Sequence, residues 1–429
     1  MKPKTVALVL VLLTGLNIFL ALNRHSRSNP YSYHGELWAD RAGYFMYLPA
    51  ATAFGFDARR FPSGLDTLTG HGFTLDTLTG RVLTKYTCGV ALLQAPFYLA
   101  GRGIAHLIGI PLGHFGPVDR VIVNVAAPVL LSLGLWCLFL VLRVRHGDSI
   151  TAWTLLGIYA GSNLFYYTIG DPGMSHVYSF FLFALLLLLL DRHFKEKGNT
   201  LRLLLIGLIA GWIVLVRPTN LVFLLAAPFV GAEDFRAGCR RITMLRPMAL
   251  VLLVAGALLV WIPQLAYWRD AFGSAVTWPY VNEGFSNWAS PRLLEFWFAP
   301  HNGLFTYTPL YALVVLGGAW SWRSRNGVTA FVALLALVAT SYLGASWWVW
   351  HFGCGFGGRI MVEYLALFAA PLTAWSAAAE KRWGRGVPIV VFCMLAAYNL
   401  KLVYSFGDCW FYGDWDLQAF GQLLFGPTK

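Results

Sequence analysis

Charged side chains are scarce in this chain: Asp, Glu, Lys and Arg make up 12% of its 429 residues. A soluble domain carries roughly twice that share, so the shortage argues against a chain that folds in water. Acid is scarcest, with 20 Asp and Glu against 32 Lys and Arg, and each carboxylate therefore stands out. The six cysteines are scattered singly with no C-x-x-C pair, which removes the signature of a zinc or dithiol centre. No low-complexity tract and no separate soluble domain interrupts the chain.

Apolar residues fill the space that charge leaves. They make up 58% of the chain, with 18 Trp and a mean hydropathy of +0.60, more than a soluble core of this size can hide. A helix needs roughly 20 apolar residues to cross hydrocarbon. Runs near that length recur at 4–22, 120–142, 150–169, 175–191, 201–216, 219–231, 248–265, 304–320, 328–345, 360–378 and 387–405. The expected fold is an all-α polytopic membrane protein, a bundle of about 11 transmembrane helices forming one membrane-embedded domain over 1–429. Lys2 and Lys4 ahead of an apolar run mimic a signal peptide. The run Val6–Leu22 is long, however, and no small-x-small site follows it, so it reads as an uncleaved anchor.

A net charge of +12 suggests a nucleic-acid partner, but its distribution excludes one. The basic residues collect in short loops: Arg143 and Arg145; Arg192, Lys195 and Lys197; Arg236, Arg240, Arg241 and Arg246; Arg323 and Arg325; Lys381, Arg382 and Arg385. This is the positive-inside pattern, and it makes those loops cytoplasmic. The run 86–110 is apolar enough to span but holds Pro96, four Gly and Arg102. If it crossed, every basic loop would lie outside, so it reads as an interfacial or re-entrant helix on the outer face. The outer segments are then 23–119, 170–174, 266–303, 346–359 and the tail from Ser405. Within the first, LDTLTG occurs at 65–70 and 75–80, with turn-forming residues that predict a short surface β-hairpin.

Against this topology the outer-face polar residues are few. In GELWADRAGYFMYLPA (35–50), Glu36 and Asp40 are spaced to share a helical face. Shielding by Trp38, Tyr44, Phe45 and Tyr47 is expected to raise a carboxylate pKa into the range of a general base; the plain alternative is two solvated loop charges. In GDPGMSHVYSF (170–180), Asp171 and His176 are pinned at the surface by a short turn, where they serve either chemistry or the turn and helix start themselves. Arg217 in LVRPTN sits in an apolar stretch that Pro218 breaks. A guanidinium there either binds phosphate or reaches lipid headgroups.

The segment SWWVWHFGCGFGGRIMVEY (346–364) matches G-x-G-x-x-G at Gly353, Gly355 and Gly358, but no βαβ unit surrounds it, so a dinucleotide site is rejected. Small residues and a helix start near 360 would instead let backbone N–H groups and Arg359 cradle a phosphate. In the loop 266–303, Glu283 is a lone acid among aromatics that either belong to the interfacial belt or stack on a sugar. Cys354 and Cys409 both lie outside on this topology and are free to pair there.

With these segments placed, the chain resembles the GT-C superfamily of membrane glycosyltransferases, closest to bacterial relatives of protein mannosyltransferases and the lipid A aminoarabinose transferase. The likeness rests on ADRAGYFMYLPA, KYTCGVALLQAPFYLAGR (85–102), GDPGMSHVYSF, GLIAGWIVLVRPTN and the glycine-rich end of 346–359, in that order. It implies a polyprenyl-phosphate sugar donor, with Asp40 activating an acceptor hydroxyl and Arg217 and Arg359 holding the phosphate. Glu36 and Asp171 are further catalytic candidates, His176 a further phosphate ligand, and Glu283 and Tyr44 acceptor or sugar contacts. The acceptor is a glycolipid, glycan or protein, and the setting is the outer face of a bacterial cytoplasmic membrane. No metal-ligand pattern is present, and a divalent-metal requirement stays open. The chain departs from the family in lacking an adjacent acidic pair or D-x-D in the first loop and in having Thr87-Cys88 where many relatives have two prolines. The competing class is a polytopic transporter or flippase of lipid-linked glycans, which calls for charges deep within spans and inverted repeats. A non-catalytic scaffold is the third.

Overall fold

The computed structural model describes residues 2–196, 199–280, 283–322, 327–407 and 413–428. Its long helices are α1 (Pro3–His25), α2 (Gly89–Leu107), α3 (Pro117–His146), α4 (Ser175–Lys195), α5 (Thr200–Val216), α6 (Pro247–Phe272), α7 (Gly327–Ser346), α8 (Leu365–Trp383) and α9 (Gly386–Ser405). Among the described residues, α1, α3, α4, α6, α7 and α9 are long and apolar enough to cross a membrane. Helix α2 is not among these six, and it turns Leu99, Ile104 and Leu107 outward while packing Val90, Leu93 and Tyr98 inward.

Three expected spans are interrupted. The run 150–169 forms Asp148–Ala160 and Leu164–Ile169, separated at Gly161–Asn163. The run 304–320 breaks at Thr308–Pro309, and 219–231 is built from short turns around Pro218 and Pro228. Proline lacks the N–H that helix continuation needs and clashes with the preceding turn, which accounts for the last two.

Helices α3 and α4 lie side by side at the centre of the larger core, with Leu131, Phe139, Val177, Phe180 and Phe183 fully enclosed. Helices α5 and α6 meet at closer range. A Cβ at Gly207 would stand 2.1 Å from the Leu253 carbonyl oxygen, and one at Gly256 would stand 2.2 Å from that of Leu204. Only residues without side chains allow backbones this near, the usual arrangement where lipid supplies no hydrophobic drive between helices. The tight pairing fixes the C-terminal end of α5, where Arg217 sits.

The segment between α1 and α3 carries its own core of Leu37, Phe45, Tyr47, Phe61, Phe73 and Phe115, continuous with Tyr98 of α2 and Trp268 of α6. The repeated hexapeptide splits in conformation. Leu65–Leu68 makes one helical turn, whereas the second copy enters strand β1 (Thr74–Asp76), which pairs antiparallel with β2 (Arg81–Leu83). Asp66 receives the Thr67 and Leu75 N–H groups, while Asp76 receives those of Leu78 and Thr79 inside the hairpin turn. The hairpin expectation therefore holds for one copy only, because the partner strand exists only beside the second.

Candidate active site at the helix ends

A cavity of about 380 Å³ lies where α4, α5 and α7 end against the segment between α1 and α3 and the segment 346–364. Six of the eight expected site residues line it: Asp40, Tyr44, His176, Arg217, Glu283 and Arg359. Residues 40 and 359 reach it from opposite ends of the sequence.

Asp40 opens the short helix Asp40–Phe45, directly after Ala39, whose backbone is left-handed at φ 50°. That conformation is costly for a residue with a Cβ and survives where its surroundings hold it. Here the Ala39 N–H donates to the Thr69 carbonyl at 2.7 Å, and the Ala39 carbonyl accepts from Gly43 N–H at 3.1 Å. Gly43 and Gly72 leave the space: a Cβ at Gly72 would lie 1.9 Å from the Ala39 oxygen. The turn thus aims the Asp40 carboxylate, 32% exposed, into the cavity.

Asp40 Oδ1 accepts a hydrogen bond from the Tyr86 hydroxyl, and Oδ2 stands 3.6 Å from Arg359 Nη2. Burial on its own pushes the Asp40 carboxyl up, but Arg359, the Tyr86 hydroxyl, Lys85 and Arg41 together outweigh it and hold the group below its ordinary value. This overturns the expectation of a raised pKa: the aromatic shield is real, but it comes with cations. Tyr86, by contrast, is held far above the ordinary phenol value by burial and by Asp40, so it stays a donor.

Arg359 is placed by its own loop. A Cβ at Gly355 would lie 2.8 Å from Arg359 Cδ, so that glycine makes room for the side chain. The expected backbone cradle is only partly free, since the N–H groups of Phe356 and Gly357 donate to the Tyr167 hydroxyl and to Asn302 Oδ1. Among the described residues Arg359 makes no side-chain hydrogen bond and has Asp40 as its one ion-pair partner. Most of its five N–H donors are therefore available to an anion.

Arg217 leaves α5 where Pro218 ends it, and its Nη1 donates to Glu363 Oε1 at 3.2 Å. His176, in the first turn of α4, brings Nδ1 to 2.9 Å from Glu363 Oε2. On the far wall Lys85 pairs with Glu283, and its ammonium lies 5.5 Å from the Tyr86 ring centre and 5.6 Å from that of Tyr280. Tyr44 packs on Tyr86 with ring centres 4.6 Å apart. The arrangement pairs three cations with three carboxylates around a hollow rich in aromatic side chains, and the unused guanidinium donors of Arg359 are what it offers to an anion.

Glu36 and Asp171 stand outside this cavity. Residues 35–39 are turns and the helix begins at Asp40, so Glu36 and Asp40 share no helical face. Glu36 is buried and accepts from Asn124 Nδ2 at 3.0 Å. Asp171 forms a buried ion pair with Arg41, tying the Asp40 helix to the 170–174 turn. Sequence reasoning missed Tyr86, Lys85 and Glu363; the scarcity of charge was a signal for the last two. Cys354 is disulfide-bonded, and Cys409 lies outside the described residues. Among the described residues no group of three or more His, Cys, Asp and Glu is arranged to hold a metal ion. No family model and no curated protein matches this chain.

Proposed function

We propose that this protein is an inverting glycosyltransferase of the GT-C kind. It transfers a sugar from a polyprenyl-phosphate donor to a hydroxyl of a glycolipid, glycan or protein at the outer face of a bacterial cytoplasmic membrane. One observation carries the reading. A single cavity at the helix ends holds an ionised carboxylate, Asp40, against two guanidinium groups, Arg359 and Arg217, with unused donors. The shorter and interrupted apolar segments and α8, added to the six helices long and apolar enough to cross, make up the eleven crossings of this fold, with α2 lying at the interface.

Asp40 takes the proton of the acceptor hydroxyl as that oxygen attacks the anomeric carbon. The bond from that carbon to the donor phosphate breaks, and the polyprenyl phosphate leaves with its charge on Arg359 and Arg217. Attack opposite the leaving group inverts the centre, the outcome expected when one carboxylate acts through an acceptor. Charge-assisted bonds to a guanidinium fork suit the departing phosphate. The Asp40–Arg359 contact couples the two halves. A donor phosphate draws the guanidinium away from Asp40, removing the cation that depresses its basicity while the burial that raises it remains. The base strengthens when the donor is in place.

The test is transfer by purified protein from a radiolabelled polyprenyl-phosphate hexose to an envelope glycolipid extract. Loss of transfer in Asp40→Asn with donor binding retained supports the reading. Donor translocation without transfer, intact in Asp40→Asn, would favour a flippase.

A further inference from the structure

Glu363 is used by no step above, yet it is 1% exposed and stands directly behind the cavity wall. A carboxylate so enclosed needs partners that meet both oxygens. It has them from two different helices: His176 Nδ1 on Oε2 at 2.9 Å and Arg217 Nη1 on Oε1 at 3.2 Å. Both partners line the cavity. His176 is itself 1% exposed, and its other ring nitrogen, Nε2, is buried with no hydrogen-bond partner. Burying a polar atom unpaired is costly, and because His176 lines the cavity, Nε2 has its partner to gain from a group that arrives with a ligand.

The proton positions follow from the partners. An ionised carboxylate only accepts, so His176 Nδ1 carries its hydrogen toward Glu363. The Arg217 Nη1 atom 3.2 Å from Nδ1 is then a neighbour and not a donor to it, because two N–H groups face one another. In a neutral imidazole with a proton on Nδ1, Nε2 is an acceptor only. Such an atom suits a hydroxyl and repels a phosphate oxygen.

We infer that Glu363 is a positioning residue that holds Arg217 and His176 as a two-part receptor. Arg217 takes the donor phosphate, and His176 Nε2 accepts a hydroxyl of the sugar carried on it. This rests on the donor reading above and reassigns His176 from phosphate to sugar. Glu363→Gln is nearly isosteric, and its amide N–H would turn the His176 Nδ1 into an acceptor. The proton then moves to Nε2, and the acceptor that reads the sugar is lost.

Two probes separate the parts: a C55 polyprenyl phosphate, and the same lipid bearing one hexose. Their affinities are measured on the purified full-length protein in nanodiscs. The wild type should bind the hexosyl lipid more tightly than the bare phosphate. In His176→Ala and Glu363→Gln that preference should fall about tenfold, the loss expected for one buried hydrogen bond with a stranded partner. In His176→Ala, affinity for the bare phosphate should stay within about threefold of wild type, which also certifies the fold; Arg217→Gln should weaken both probes. An unchanged preference in both variants overturns the inference and leaves the donor reading standing, as does a wild type that binds both probes equally. A wild type that binds neither probe overturns both.

Discussion

The carboxylate of Asp40 and the guanidinium of Arg359 are 3.6 Å apart across the cavity, although 319 positions separate them in the chain. The distance is that of an ion pair too long to be a good hydrogen bond. Each partner is therefore held ready and neither is fully consumed, as the proposed roles of general base and phosphate ligand require.

Asp40→Asn preserves the shape of the side chain and removes the carboxylate proposed as the base. Turnover should fall about 10²–10⁴-fold, the usual contribution of general-base catalysis. Affinity for polyprenyl phosphate should persist. Near-wild-type transfer by the variant would remove Asp40 from the chemistry.

Arg359→Gln should weaken binding of polyprenyl phosphate tenfold or more, since a charge-assisted bond contributes roughly 1.5–3 kcal/mol. Arg359→Lys should recover part of this, because an ammonium lacks the fork. Calorimetric titration of the purified variants against the lipid phosphate decides the matter; equal affinities for wild type and Arg359→Gln would exclude this residue as a phosphate ligand.

The pH profile offers an independent reading of the same pair. Asp40 is held below its ordinary value in the free protein, so it remains ionised as pH falls to the ordinary carboxylate range, about 4. The acid limb of kcat/KM, which reports free-enzyme groups, should lie below that range. Removing Arg359 removes an opposing charge while burial remains, so in Arg359→Gln the limb should move upward. A limb that stays in place would mean that another group controls it.

The Arg41–Asp171 pair is buried on both sides. Asp171→Ala strands the guanidinium and should cost about 3–5 kcal/mol of stability, read as a large fall in thermal unfolding temperature. If Asp171 were instead catalytic, the variant would keep its stability and lose turnover alone.

Topology is checked by reporter fusions. A fusion after Gly147, beside Arg143 and Arg145, should report the cytoplasm, and one within the loop at Gly72 should report the outside. The reverse pattern would invert the assignment and move the cavity to the wrong face.

Much of this molecule is written locally in its sequence. Apolar runs become helices because a segment's own hydropathy and hydrogen bonding set its conformation in lipid, and α1, α3, α4, α6, α7 and α9 fall where those runs lie. Pro218 ends α5, and Gly207 and Gly211 mark where another helix comes close. Asp40, Arg217 and Arg359 stand out because charge is rare around them. The rest was decided by which helix ends meet. No spacing pairs Glu363 with His176 and Arg217, or Lys85 with Glu283, across 146 to 198 residues. Glu36 and Asp171 were further candidates beside Asp40 in sequence, yet packing turned them toward Asn124 and Arg41. The two copies of LDTLTG carry the same information and fold differently, because only one has a strand beside it. Local chemistry determined the elements and the candidates; the packed ends of the helices decided which candidates share one cavity, because side-chain contact depends on tertiary neighbours that the chain's order does not specify.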